Sequence, residues 1–427
     1  MNKTIFPQDQ VFWYLKRPTL EPLRTSLETE IVIIGGGMAG LTAAQAFAQK
    51  GKKVVLLEAF YCGAGASGKS SGFITPNSEL GLSDFMYRYG NEGGLRVWHA
   101  IEQGVEHIRQ NIQRYNLDCE YSPEDSLIVA NSQKVLNRLR QEHTDLVKRG
   151  YTSQYITKEQ MPSVLGSNAY YGGVTYANSF GINSYSYLQE MKSVLMQQGI
   201  QIYEETPVLS FKNHQVQTLH ATVQAEHIIV CTDRFIPSLH ALQQQIYHMQ
   251  TFLLISQPLT PSEVRAVFPN RNLMVWDTDL IYNYYRMIGN RMLLGGGSFV
   301  NTYSNNATYH SHYMYSKMIR SFHKKFPAVT VQFEQMWSGL IGVSKDIAPI
   351  AGTDKDDPSI YYIAAAAGLP VAAMLARYCA DHIIDKADYL QDYFSPYRPA
   401  RIGGALQTIL GNKLSFALSH LSYFNFP

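Results

Sequence analysis

The apolar positions of the chain fall into short runs and periodic stripes whose spacing predicts strands alternating with helices. Glu30–Ile34 is an apolar run of strand length, Met38–Gln49 is an alanine-rich helix, and Lys53–Glu58 is a second apolar strand. Strand, helix and strand at this spacing are the parts of a parallel βαβ crossover. Asp84–Arg114 lacks both proline and strand alternation and reads as one or two helices. Cys119–Ala130 reads as a strand, and Gln133–Gly150 as an amphipathic helix.

The two periods recur further on. Ser184–Gln198 is helical and stops at Gly199, a residue suited to the left-handed position after a helix. Ile200–Glu204 reads as a strand, Val208–Asn213 and Gln217–Thr222 as a hairpin, and His227–Thr232 as a buried strand. From His248 to Val300 strands dominate, at Met249–Ser256, Leu280–Met287 and Arg291–Gly297. Tyr309–Phe326 is a helix and Glu334–Ile341 a strand. The longest apolar stretch, Ile360–Ala376, has 17 residues and is interrupted by Gly368 and Pro370. That is marginal for a bilayer span, and it reads instead as buried strand, tight turn and helix. Near the C-terminus Ile402, Leu406, Ile409, Leu410, Phe416 and Leu421 form an approximate helical stripe, broken at Gly411-Asn412. Packing on the protein body is the ordinary role of such a stripe; peripheral contact with a membrane surface or another subunit is the alternative.

Composition narrows the classes. The 427 residues are 45% hydrophobic and 16% charged, which suits a globular protein with a sizeable core. Lys and Arg number 36 against 34 Asp and Glu, with no long basic run, so nucleic acid is not an expected partner. Cys62, Cys119, Cys231 and Cys379 form no CxxC pair, so no metal site is expected and the thiols read as reduced and cytoplasmic. The first residues, MNKTIFPQDQVFWYLKRP, hold no continuous apolar core, and no signal peptide is expected.

The first motif with chemical content is Gly35-Gly36-Gly37-Met38-Ala39-Gly40, a GxGxxG between the first strand and the first helix. Gly35 permits the tight turn, Gly37 lets backbone approach a pyrophosphate, and Gly40 lets the helix pack close to the sheet. The helix N-terminus presents unpaired N–H groups to the phosphates. Glu58, 21 residues after Gly37, stands where a carboxylate accepts bonds from ribose hydroxyls and disfavours a 2′-phosphate, with Ala59 beside it. The motif alone does not choose between FAD and NAD. The small-residue loop Gly63-Ala64-Gly65-Ala66-Ser67-Gly68-Lys69-Ser70-Ser71-Gly72-Phe73 comes directly after the Glu58 strand, and such a loop runs under a long dinucleotide.

Three more segments join that loop: Tyr284-Tyr285-Arg286 followed by Arg291-Met292-Leu293-Leu294-Gly295-Gly296-Gly297, Trp337-Ser338-Gly339, and Pro349 with Gly352. In these motifs nearly the whole chain resembles the D-amino-acid-oxidase-like superfamily of FAD oxidoreductases, in particular its γ-glutamylputrescine-oxidising members. The resemblance implies an α/β fold in which a Rossmann-type FAD-binding domain is interleaved with a strand-rich α+β substrate domain. It places an N-terminal arm at 1–28, the FAD-binding domain at 29–90, 172–235 and 333–390, the substrate domain at 91–171 and 236–332, and an aromatic-rich C-terminal segment at 391–427. It also implies that Gly35, Gly37, Met38, Ala39, Gly40, Glu58 and Ala59 hold the ADP half of FAD. Ser67, Gly68, Lys69, Ser70, Gly72 and Phe73 then follow the pyrophosphate and the flavin ring. Val208, Thr232, Gly339, Gly368, Leu369 and Pro370 complete the cofactor set. Relatives with covalent flavin use a cysteine near the W-x-G segment or a histidine in the loop after the second strand. Residues 337–352 hold no cysteine and 61–73 no histidine, so noncovalent FAD is expected.

The resemblance also bears on the substrate. The family's usual C-terminal flavin motif, G-Y-S-G-H-G-V, is here Ala365-Ala366-Ala367-Gly368-Leu369-Pro370-Val371, and its R-N-G-G is Lys69-Ser70-Ser71-Gly72. Amino-acid-oxidising relatives carry an arginine in W-x-G-L-R-P to grip the carboxylate; here Trp337-Ser338-Gly339-Leu340-Ile341-Gly342 has Ile341 at that place. The implied substrate is therefore a small-molecule amine, γ-glutamylputrescine-like compounds first, with O2 or an electron carrier as acceptor. Tyr285, Arg286, Trp337 and Ile341 are the candidate pocket residues, and Arg286 is the alternative carboxylate ligand. Two other readings are an amino-acid or N-methyl-amino-acid oxidase or dehydrogenase and a flavin-binding partner subunit without catalysis. Acid precipitation of the holoprotein is expected to release all the flavin into the supernatant; yellow colour in the pellet would contradict noncovalent binding.

Overall fold

In the computed structural model the described residues are 11–15, 18–77, 79–279, 282–297, 303 and 312–424. The expected start of the Tyr309 helix and of the Leu280 strand lie outside them. Five short apolar runs pair in parallel, in the order Gln201–Tyr203, Val54–Leu57, Leu27–Ile34, Thr222–Val230 and Ile360–Ala364. Ile31 and Ile33 of the central strand turn to one face, where the helices Met38–Gln49 and Leu369–Asp385 cover them. Val32 and Ile34 turn to the other, joining Val55, Leu57, Val216 and Val223. With both faces covered, such a strand is continuously apolar rather than alternating.

The second sheet has eight strands in the order Phe333–Val343, Tyr247–Ser256, Arg291–Gly296, Tyr284–Ile288, Met274–Asp277, Ser126–Val129, Gly172–Tyr176 and Tyr155–Thr157. Its pairs are antiparallel except for Met274–Asp277 with Ser126–Val129. Phe252, Leu254, Tyr285, Met287 and Leu294 pack from this sheet onto Met314, Met318 and Phe322 of the His312–Lys325 helix. A small three-stranded sheet contains Phe73–Ile74, Phe180–Gly181 and Ser122–Pro123.

Several expected boundaries move. Gly172–Tyr176 and Phe333–Val343 belong to the second sheet, although the 172–235 and 333–390 blocks assign them to the FAD-binding domain. Motif spacing locates loops, whereas the partner of a strand depends on long-range register. Cys119–Ala130 divides into Ser122–Pro123 and Ser126–Val129, since Pro123 has no N–H to extend a ladder. The hairpin turns at Asn213-His214, both at positive φ, so its second strand starts at Gln215 and the next already at Thr222. Leu82–Tyr115 is broken at Gly90 (φ 74°), which is the two-helix reading. The Ile360 stretch is strand, turn and helix, with Gly368 at φ 100°.

The C-terminal helix, Gly404–Phe424, breaks at Gly411 (φ 72°). Phe416 and Ala417 bury against Val343 and Tyr303, while Ile409 is 82% exposed. No described helix is long and apolar enough to cross a membrane.

One buried ion pair ties three parts of the chain together. Glu204 accepts from Lys192 Nζ at 3.0 Å, from Cys62 N at 2.7 Å and from Leu20 N at 2.8 Å. It fixes the entering arm, the turn after the second strand and the Ser184–Gln197 helix. Lys192→Met keeps the aliphatic stem but strands the carboxylate. The expected loss is on the order of 3–5 kcal/mol of unfolding free energy, read by urea denaturation; a loss under about 1 kcal/mol would show that the carboxylate is satisfied without the lysine.

Candidate active site

Four strands of the first sheet end together, at Ile34, Leu57, Val230 and Ala364, and the residues after each end line one cavity of about 660 Å³. After Ile34 comes the glycine turn. Gly35 sits at φ 111°, and a Cβ there would stand 2.8 Å from the Cys231 carbonyl oxygen. A Cβ on Gly40 would lie 1.8 Å from Gly35 O, so this glycine sets how closely helix and turn approach. The Met38–Gln49 helix has no side-chain cap, and Met38 N donates to Ser67 Oγ at 3.1 Å.

Glu58 ends the second strand. Its carboxylate accepts from Gly36 N at 2.7 Å and from Phe60 N at 2.9 Å. Burial pushes its carboxyl pKa up, and these two N–H groups oppose that shift. Across the turn, Thr232 Oγ1 is buried and has no hydrogen-bond partner among the described residues.

The loop from Cys62 to Gly72 is held through its carbonyls by side chains from elsewhere. Gln189 donates to Cys62 O, Tyr14 to Gly63 O and Ala64 O, Trp13 to Gly68 O, Trp337 to Lys69 O and Arg286 to Ser71 O. None of these donors lines the cavity, whereas Gly63–Ser67 and Lys69–Ser71 do.

At another part of the cavity wall four rings form a closed circuit. Phe73 lies 5.6 Å from Trp276 and 5.9 Å from Tyr284, and Tyr282 lies 6.3 Å from Trp276 and 5.8 Å from Tyr284. Glu79 joins them, accepting from Tyr282 Oη at 2.8 Å. Burial pushes its carboxyl up to about 7, against the lowering effect of that hydrogen bond.

The structure sorts the residues expected from sequence. Gly35, Gly37, Met38, Ala39, Glu58, Ala59, Ser67, Lys69, Ser70, Phe73, Val208, Thr232, Gly339, Gly368, Leu369 and Ile341 line the cavity. Gly40, Gly68, Gly72 and Pro370 do not. A Cβ on Gly68 would meet Gly63 O at 2.1 Å and one on Gly72 would meet Ile182 O at 1.9 Å, so these glycines fold the loop. Pro370 is buried in the first turn of its helix.

Three of the four candidate pocket residues stand behind the wall. Tyr285 points into the second-sheet core, its hydroxyl 3.2 Å from Tyr170 Oη. Arg286 is buried and spends its guanidinium on Ser71 O (2.9 Å) and Ile182 O (2.7 Å). Trp337 packs edge-on against Trp13. Strand alternation explains the first: Tyr284 faces the cavity, and its neighbour Tyr285 therefore turns away; Arg286 shares the face of Tyr284 and is drawn off by the two carbonyls it binds.

Sequence reasoning missed Glu79, Tyr282, Trp276 and Asp233. Asp233 accepts from Gly342 N at 2.5 Å and from Ala365 N at 2.9 Å, tying the end of the Phe333–Val343 strand to the turn after Ala364, both of which line the cavity. Glu79 follows the polar segment Thr75-Pro76-Asn77-Ser78 and carries no local signal in the sequence.

A glycine turn opening into a helix N-terminus and a carboxylate at the end of the second strand, brought to one cavity, are the groups that hold a dinucleotide. Residues 30–382 match the sequence profile of the family described as FAD dependent oxidoreductase. The chain belongs to that family. This oxidoreductase is 26% identical over 407 residues to the probable oxidoreductase OrdL of Haemophilus influenzae, covering 92% of this chain and 91% of the relative. It is 25% identical over 289 residues to γ-glutamylputrescine oxidoreductase of Escherichia coli, covering 66% and 67%. Its fold superimposes on L-proline dehydrogenase from P. horikoshii with a TM-score of 0.74 at 17% identity, over 87% of this chain and 98% of that one.

Glu58→Ala in the oxidoreductase is expected to weaken FAD binding by on the order of 1.5–3 kcal/mol, the range for a charge-assisted hydrogen bond. That is roughly ten- to hundredfold, read by flavin fluorescence titration of the apoprotein. Unchanged affinity would remove Glu58 from the ribose site.

Proposed function

We propose that this oxidoreductase oxidises the C–N bond of a small amine. In this reading Gly35, Gly37, Met38 and Ala39 hold the pyrophosphate of noncovalent FAD, and Glu58 with Ala59 holds the ribose. Val208 and Thr232 border the adenosine side. Ser67, Lys69, Ser70, Phe73, Gly339, Gly368 and Leu369 follow the rest of the cofactor. Bound FAD supplies the acceptor for the hydride leaving the carbon next to nitrogen, and the imine so formed hydrolyses to a carbonyl and a free amine.

The observation that carries the reading is Ile341. It lines the cavity at the place where amino-acid-oxidising members of the superfamily carry an arginine, and Arg286, the alternative carboxylate ligand, is committed to two backbone carbonyls. A substrate α-carboxylate against Ile341 would be desolvated and unpaired, at a cost of several kcal/mol. A carboxylate far from the reacting nitrogen avoids that cost. The name of the Escherichia coli relative supports γ-glutamylputrescine-like amines as the first compounds to test.

Anaerobic stopped-flow reduction tests the reading. A γ-glutamyl diamine or a simple alkylamine is expected to reduce the flavin at least roughly a hundredfold faster than glycine, sarcosine or a D-amino acid, which corresponds to about 2.7 kcal/mol. Efficient reduction by sarcosine or a D-amino acid would overturn it.

A further inference from the structure

The acid among the four rings has no part in holding FAD in the reading above, yet it faces the same cavity. Phe73 comes from the end of the glycine loop and Trp276, Tyr282 and Tyr284 from one pair of adjacent strands and the segment joining them, and all four line that cavity. Glu79 takes its one described hydrogen bond, at Oε1, from Tyr282. No Lys or Arg among the described residues forms an ion pair with it. An acid beside aromatic faces, with no cation paired to it among the described residues, has the composition of a site for an organic cation: ring faces attract an ammonium through their quadrupole, and the carboxylate supplies the counter-charge.

We propose that Glu79 and the rings of Phe73, Trp276, Tyr282 and Tyr284 form the seat of the substrate's ammonium group, with Glu79 taking its proton. The proposal rests on the amine reading and assigns it a substrate class: a cationic alkylamine, recognised by charge rather than by a carboxylate. Amines enter as ammonium ions, whose nitrogen has no lone pair to form a C=N bond. The step is a proton transfer. One N–H bond of R–CH2–NH3⁺ breaks, an O–H bond forms on the Glu79 carboxylate, and the electron pair stays on nitrogen as R–CH2–NH2. No oxidant is consumed at this stage. Among the described residues Tyr282 and Tyr284 are the titratable groups coupled to Glu79, and burial raises both of their pKa values, so both stay neutral near pH 7. Glu79, with its carboxyl pushed up to about 7, is then the group that changes charge there.

The test is a binding titration of the FAD-loaded protein with butyltrimethylammonium, a cation with neither an N–H nor a lone pair and hence no route to an imine. Binding is read by tryptophan fluorescence and by perturbation of the flavin spectrum. The probe is expected to bind more tightly than butyrate. Its affinity is expected to rise from about pH 6 to about pH 8 as the carboxylate forms. Glu79→Gln should weaken it by roughly tenfold or more and flatten the pH dependence. Tyr282→Phe serves as a second variant: it removes the bond that lowers the Glu79 pKa, and so should move the midpoint to higher pH. Equal affinity in wild type and Glu79→Gln, tighter binding of butyrate, or an unmoved midpoint in Tyr282→Phe would overturn the proposal. Flavin reduction by amines in the wild type separates the two claims. If amines reduce the flavin but probe binding ignores Glu79, the ammonium seat falls and the amine reading stands. If the probe needs Glu79 but no amine reduces the flavin, the oxidation reading falls and the cation site stands.

Discussion

The loop between Cys62 and Gly72 cannot satisfy its own backbone, and much of the architecture answers that constraint. Its residues are nearly all glycine, alanine and serine, so it has little side-chain bulk with which to pack. A buried carbonyl without a donor costs free energy comparable to a lost hydrogen bond. Six of this loop's carbonyl contacts come from five side chains: Tyr14 and Trp13 of the arm, Gln189 of a helix, and Arg286 and Trp337 of the second sheet. Segments remote in sequence are thereby required at one place, and the loop is rigid only when all have arrived.

That constraint also explains why the two sheets meet where they do. The first sheet delivers four strand ends to the cavity, and the second delivers both loop-holding side chains and aromatic wall. Neighbouring residues on one strand divide the work: Tyr284 faces the cavity, Tyr285 the core, and Arg286 the back of the loop. A one-residue slip in that strand would exchange all three roles, so register here fixes chemistry as well as packing.

The glycine turn, the first helix and the acid after the second strand were legible because each is a local demand on the backbone. Gly35, Gly40 and Glu58 act within one βαβ unit, and their spacing carries the information. The tail was legible for the same reason: Gly368 and Pro370 punctuate a strand-to-helix turn, and Gly411 breaks the last helix. The allocation of Gly172–Tyr176 and Phe333–Val343 to the second sheet was not, because it depends on partners far away in sequence. Arg286 shows the same limit at the level of one side chain. Its charge proposed a carboxylate ligand, but two backbone carbonyls claim it first. Glu79 went unread because its meaning lies in four rings, three of them about two hundred residues away along the chain.

The strand order has a consequence for synthesis. Leu27–Ile34 finds one neighbour early, at Val54–Leu57, but its other edge pairs with Thr222–Val230. At roughly 5–20 residues per second, the ribosome takes about 10–40 s to make the intervening chain. For that interval this central strand has an unpaired edge, a template for pairing with other chains. A nascent chain stalled before residue 222 is therefore the species from which aggregation, or chaperone capture, should start.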